Sequence, residues 1–198
     1  MKYKSTQMEQ NELYPIFLKV AELEVLIVGG GNVGLEKLSF LLKSSPNAKV
    51  TIVSLNFLPE LIVLAKKHNA EIIEAAYHNS FLEGKHIVIA TTDSIEVNIQ
   101  VYKDCRQRNI LVNVADNPPY CDFYMGGIVT KGNIKIAIST NGKSPTLAKR
   151  LRQFLEEVIP NNINELAENI NSYRKSTGGT FSEKVTALNE LTKSLLIK

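Results

Sequence analysis

Short apolar runs alternate with amphipathic stretches along most of the chain. Glu24 to Val28 is a run dominated by Val, Leu and Ile that stops at a glycine cluster, the pattern of a strand covered on both faces. Beyond the glycines, Val33, Leu35, Leu38, Leu41 and Leu42 recur at near-helical spacing, and Ser44-Ser45-Pro46-Asn47 supplies the stop. The alternation repeats. Lys49 to Ser54 predicts a second strand, Pro59 to His68 a helix with Leu61, Leu64 and Ala65 inward, and Glu71 to Glu74 a third strand. His86 to Ala90 predicts a fourth strand, Ile95 to Arg108 a helix and Ile110 to Val114 a fifth strand. Strands and helices alternating at this interval pair in parallel through right-handed crossovers, so an α/β fold with a doubly wound open sheet is expected over roughly residues 13 to 115.

The rhythm changes after Asp116. Pro118-Pro119 breaks the chain, Gly126 to Thr130 and Asn133 to Ser139 predict a hairpin around Lys131-Gly132, and helices follow to the end. Ser144-Pro145 has the form of an N-cap followed by proline at the first helical position, and Thr180-Phe181-Ser182-Glu183 has capping-box spacing. Thr177-Gly178-Gly179 then separates the last two helices.

Composition narrows the class. With 198 residues, 44% hydrophobic and 22% charged, the chain can bury a sizeable core and is neither disordered nor collagen-like. Its net charge of +3 is too small and too dispersed to suggest a nucleic-acid partner, but suits an anionic small molecule. Cys105 and Cys121 form no CxxC, and Met1 to Glu12 is polar without the apolar core of a signal peptide. Reduced thiols, no protein metal site, no membrane partner and a cytoplasmic location are therefore expected.

Gly29-Gly30-Gly31-Asn32-Val33-Gly34 matches GxGxxG between an expected strand and an expected helix, the setting in which the pattern signals a dinucleotide. Gly29 would make the tight turn, Gly31 would admit a diphosphate to the backbone, and Gly34 would let helix pack on strand, while Asn32 and Val33 open the helix. A glycine-rich turn without a ligand is the plainer alternative. The acid that would hold an adenosine ribose at the end of the second strand is missing: Ser54, Leu55 and Asn56 stand there. Ser54 and Asn56 could bond ribose hydroxyls or merely cap the next helix, and no Arg is present for a 2′-phosphate, which tilts the cofactor to NAD.

Ligands of such sheets sit beyond the carboxyl ends of the strands, where Thr91, Thr92 and Asp93 follow the fourth strand and Ala115 and Asp116 the fifth. Partial desolvation strengthens a carboxylate's hold on a proton, so Asp116 is a candidate general base; the plain reading is a turn former before Asn117-Pro118. Asp93 is expected to cap the helix that starts near Ile95. Ser139 to Arg152 joins hydroxyls, a Gly turn, a helix start and four cations. Lys143, Ser144 and Thr146 there would suit the carboxylates of a polyanionic substrate, whereas Lys149, Arg150 and Arg152 read as a solvated face. His68, His78 and His86 have no ligand spacing.

Together these segments resemble a known family. Tyr14-Pro15-Ile16-Phe17-Leu18-Lys19, Val25 to Gly34, Ala90-Thr91-Thr92-Asp93 with Asn98, Val112 to Asp116, Cys121-Asp122-Phe123 and Ile136 to Arg152 are similar, in this order, to the precorrin-2 dehydrogenases. These include the amino-terminal domain of multifunctional siroheme synthase. The resemblance implies NAD-dependent oxidation of precorrin-2 to sirohydrochlorin in sirohaem synthesis, with ferrous iron insertion in some members, and an intertwined homodimer. It implies a Rossmann-like NAD-binding domain over 1–115, a dimerisation and substrate-cleft region over 116–145 and a helical carboxyl region over 146–198. Asp116 falls on the family's essential aspartate, Asn32-Val33 and Leu55-Asn56 on cofactor-contacting positions, and Thr140 on a serine of the siroheme synthase branch. Asn113 and Thr140 join the expected substrate contacts. Many relatives have proline shortly after the Cys-Asp-Phe segment, where this chain has Met125-Gly126-Gly127. Two rival functions remain at this point: an NAD-sensing regulatory module, and a dehydrogenase of another small acid.

Overall fold

The computed structural model describes residues 10–193, which form two compact units that meet in sequence at Met125 and Gly126. The first unit is an open parallel sheet of β1 (Glu24–Val28), β2 (Lys49–Ser54), β3 (Glu71–Glu74), β4 (Ile87–Ala90) and β5 (Leu111–Val114), in the order β3-β2-β1-β4-β5. Helices α1 (Asn32–Ser44), α2 (Pro59–Lys67) and α3 (Ile95–Arg108) connect the strands. The Rossmann-like fold class expected from the pattern is present, and its strand order reverses direction between β1 and β4, the switch point at which such sheets bind ligands.

Period-two alternation explains why both faces are covered. Val25, Ile27, Val50, Ile52, Ile87 and Ile89 point to one side with Leu38 and Leu42 of α1 and Leu61 and Ala65 of α2. Leu26, Val28, Val88, Ala90, Val112 and Val114 point to the other with Val101 and Cys105 of α3. Strands buried on both faces read as continuous apolar runs, as these do. The connection from β3 to β4 carries no α-helix; Tyr77, Phe81 and Leu82 around a short 3-10 turn (Asn79–Leu82) cover the second face instead.

The edge strand β5 is finished by the segment that follows it. Asp122 N–H donates to the Val112 carbonyl at 2.8 Å, and Val112 N–H donates to Asp122 Oδ2 at 3.1 Å, so one residue pairs as a strand would. Arg106 holds the other carboxylate oxygen at 2.8 Å. Asn113 Nδ2 donates to the Phe123 carbonyl at 2.8 Å. Cys121-Asp122-Phe123 thus protects an edge that would otherwise offer unpaired backbone groups.

In the second unit, β6 (Gly127–Lys131) and β7 (Ile134–Ile138) form an antiparallel hairpin, followed by α4 (Pro145–Val158), α5 (Ile163–Ser176) and α6 (Phe181–Thr192). The hairpin tip is tied to the start of α5: Asn133 N–H donates to Asn164 Oδ1 at 2.7 Å and Lys131 Nζ to Asn161 Oδ1 at 2.6 Å. The expected caps are present, Ser144 on Leu147 N–H and Thr180 with Glu183 as a capping box. The Met125-Gly126-Gly127 stretch has a local cause, because a Cβ at Gly126 would run into the Ile138 carbonyl oxygen. No helix among the described residues is long and apolar enough to cross a membrane.

Candidate functional site

The carboxyl ends of β1, β2 and β4 gather most of the residues singled out from the sequence. Gly29 has φ of +121°, and a Cβ there would stand 2.6 Å from Thr91 Oγ1, so only glycine makes this turn without strain. A Cβ on Gly34 would strike the Gly29 carbonyl oxygen, which lets α1 close onto the turn. Around Gly31 there is nothing within 4 Å of an added Cβ. It is the N-cap of α1 and no side chain caps the amides of the first turn. Open space in front of uncapped helix amides is the arrangement that accepts a diphosphate, so the residues present fit a dinucleotide.

Gly30, an unspecified position of the motif, is equally constrained. An added Cβ would run into the Asn56 carbonyl and stand 2.6 Å from the Phe57 ring, and the Gly30 carbonyl accepts Leu58 N–H at 3.0 Å. The β2–α2 loop therefore lies directly against the glycine turn, bringing Ser54, Leu55 and Asn56 beside it. Leu55 is 63% exposed, an apolar side chain at the mouth. The triple glycine was the signal for Gly30; the fingerprint alone does not contain it.

On the other side of β1, Thr91 is buried, and its hydroxyl donates to the Val28 carbonyl at 3.0 Å, locking β4 to the glycine turn. Thr92 is held by Asn98. Its N–H and hydroxyl donate to Asn98 Oδ1 at 3.1 and 2.8 Å, and Asn98 Nδ2 donates back to its carbonyl at 2.8 Å. The cap of α3 is Ser94, whose Oγ accepts Val97 N–H at 3.2 Å, and not Asp93. The cap must sit where the carbonyl accepts the first helical bond, and the Ser94 carbonyl takes Asn98 N–H. Asp93 is exposed, with no hydrogen bond or ion pair among the described residues.

Asp116 lies just past β5, exposed, with φ of +58°. Asp and Asn tolerate this left-handed conformation better than most residues, normally with a local side-chain bond that rewards it. The Asp116 carboxylate makes no hydrogen bond or ion pair among the described residues, so turn chemistry uses its backbone and leaves its oxygens uncommitted. The burial expected of Asp116 is not present in the single chain, where its side chain is exposed. Asn113, expected to touch substrate, is only 6% exposed and its amide nitrogen is spent on Phe123 and Cys121, so it anchors the edge segment instead. The neighbouring Cys121 thiol donates to the Val114 and Asn117 carbonyls, and burial raises its pKa.

Thr140, Lys143, Ser144 and Thr146 lie in the second unit, in the turn from β7 to α4. Asn141 and Gly142 both have positive φ, the pattern of a type I′ turn. Thr140 Oγ1 donates to the Ser144 carbonyl at 3.1 Å and accepts Ser144 N–H at 3.3 Å, while Ser144 Oγ accepts Leu147 N–H. Both hydroxyls therefore shape the turn; Lys143 and Thr146 are exposed.

Residues 16–127 match the family described as putative NAD(P)-binding, and residues 131–157 match the sirohaem biosynthesis protein central family. A siroheme synthase of Pseudoalteromonas translucida (strain TAC 125) is 41% identical over 84% of this chain and 35% of its own length. One of Psychrobacter sp. (strain PRwf-1) is 42% identical over 78% and 31%. The chain thus spans about a third of the length of these curated relatives. Among solved structures, SirC, a precorrin-2 dehydrogenase, superposes with a TM-score of 0.70 at 22% identity over 90% of this chain and 89% of that one, a likeness of fold. With more than half of its length in the first match and a glycine cradle to fit, the chain belongs to the putative NAD(P)-binding family, followed directly by a sirohaem biosynthesis central segment.

Proposed function

We propose that this chain oxidises precorrin-2 to sirohydrochlorin with NAD, a step of sirohaem biosynthesis, in the cytoplasm. The observation that carries the reading is Asp116: an exposed, uncommitted carboxylate in a left-handed turn past β5, at the same carboxyl end of the parallel sheet at which β1, two strands away, opens the glycine cradle. Identity to siroheme synthases over most of the chain supports the substrate class.

A bound nicotinamide supplies the hydride acceptor. The first-turn amides of α1 at Asn32, Val33 and Gly34 would hold its diphosphate through the gap that Gly31 leaves. Ser54, Leu55 and Asn56 would border the adenosine end, and Thr91, Asp93 and Thr92, the last of them pinned by Asn98, would border the nicotinamide end. An Asp116 carboxylate oxygen takes the proton that leaves the macrocycle as its conjugation extends, so one hydride and one proton depart together. Alignment of donor and acceptor and exclusion of water account for the remainder of the work. In the second unit, Lys143 just before α4 and Thr146 in its first turn are the candidates for substrate carboxylates. The catalytic form is a homodimer, supported by Leu147, Leu151, Phe154 and Val158, which expose an apolar stripe on α4 at helical spacing.

An anaerobic assay with precorrin-2 and NAD, followed by ferrous iron as a second substrate, tests this. Sirohydrochlorin with equimolar NADH is expected, and a later sirohaem spectrum would add iron insertion. Nucleotide binding without turnover would instead identify a sensing module, and NADH formed only from another acid a different dehydrogenase.

A further inference from the structure

The end of β2 lacks the acid that ordinarily accepts the adenosine ribose hydroxyls. The sheet places another acid beside that spot. β2 and β3 are parallel, with Ser54 the Cα partner of Glu74. Partners in this register share a face and reach one another: at the far end of the pair, Thr51 and Glu71 are also partners, and Thr51 Oγ1 donates to Glu71 Oε2 at 3.0 Å. Ser54 with Glu74 is the same type of pair at the carboxyl end, yet Glu74 is exposed and its carboxylate has no hydrogen bond or ion pair among the described residues.

The position adjoins the cradle. A Cβ on Gly30 would stand 3.0 Å from Ser54 Cβ, and Ala75 N–H donates to the Ser54 carbonyl at 3.0 Å, fixing the chain just after Glu74 to the end of β2. Glu74 is thus displaced by one strand spacing, about 4.8 Å, from the usual position of the ribose acid, a distance its side chain can recross. No Lys or Arg occurs between Val50 and Ala65 to meet a 2′-phosphate.

We propose that Glu74 replaces the missing acid, accepting hydrogen bonds from the adenosine ribose hydroxyls and repelling a 2′-phosphate, so that it sets selectivity for NAD over NADP. This deepens the reading of the first unit as a dinucleotide site and rests on it. The sequence fingerprint could not find the residue, because only strand register brings position 74 beside position 54.

The test titrates NADH and NADPH separately into the full chain by calorimetry, for the parent protein, Glu74→Gln, Glu74→Arg and, as a control at the opposite end of the strand pair, Glu71→Gln. The parent is expected to prefer NADH at least tenfold. Glu74→Gln should narrow that preference about tenfold, the scale of one charge-assisted hydrogen bond, and Glu74→Arg should reverse it. Glu71→Gln should leave the ratio unchanged. A thermal melt of Glu74→Gln matching the parent's establishes that the exposed substitution left the fold intact. Unchanged nucleotide preference in both Glu74 variants, or a parent that prefers NADPH, overturns the proposal while leaving the dinucleotide site standing. A parent that binds neither nucleotide removes the site and the proposal with it.

Discussion

Two alanine substitutions in one motif should have opposite consequences. In Gly34→Ala the new methyl is driven into the Gly29 carbonyl oxygen and lies 3.3 Å from Thr91 Oγ1. The first obstacle is backbone and cannot rotate away. Glycine to alanine inside a helix otherwise stabilises by up to about 1 kcal/mol, whereas overpacking a tight contact costs about 1–3 kcal/mol. The clash wins, and a net loss of about 1–2 kcal/mol is expected, a fall of roughly 0.5–1 M in urea midpoint at ordinary slopes. In Gly31→Ala the methyl meets nothing within 4 Å, and the residue's φ of −84° suits any L-amino acid. Stability should stay within about 1 kcal/mol of the parent, the loss at an N-cap position. NADH affinity should fall about tenfold or more, because the methyl occupies the diphosphate's approach to the α1 amides. Urea unfolding followed by circular dichroism and NADH titration read both arms. A Gly34→Ala protein as stable as the parent refutes the close approach; Gly31→Ala binding NADH normally refutes the cradle.

Asp122→Ala should destabilise by about 1–3 kcal/mol, since it orphans the N–H of fully buried Val112. Arg106 is 58% exposed in the ion pair it loses, so most of the deficit should persist in high salt; a loss abolished by salt would assign the effect to the ion pair. Burial pushes the Cys105 thiol up from 9.0 to about 12, with the neighbouring Asp104 and Asp122 charges adding to it. The unfolded chain releases that proton first, so the folded protein should lose stability as pH rises from about 9 toward 12. Cys105→Ala should flatten that slope in pH-dependent unfolding, and an unaltered slope would show that another group sets it.

The strands and their covering helices were legible because burial on both faces imposes continuous apolar runs between breakers, as in Val25 to Val28 and Ile87 to Ala90. Caps at Ser144 and Thr180 were legible because their chemistry is local. Asp93 misled because two adjacent cap-forming residues, Asp93 and Ser94, precede α3, and sequence does not fix which carbonyl starts the helix. Asn113 misled because a polar residue on a buried strand has two explanations, a ligand or an internal partner, and its partner at Phe123 is ten residues away on a folded-back segment. Glu74 and Gly30 gain their meaning only from neighbours brought in by register and loop closure.

Asp116→Asn tests the catalytic assignment most directly, since asparagine accepts the left-handed backbone and the same volume while giving up the proton-accepting oxygen. NADH affinity should match the parent's, and precorrin-2 turnover should fall by about 10²–10⁴-fold, the range for losing a general base. Sirohydrochlorin formed by this variant at the parent's rate would contradict the account.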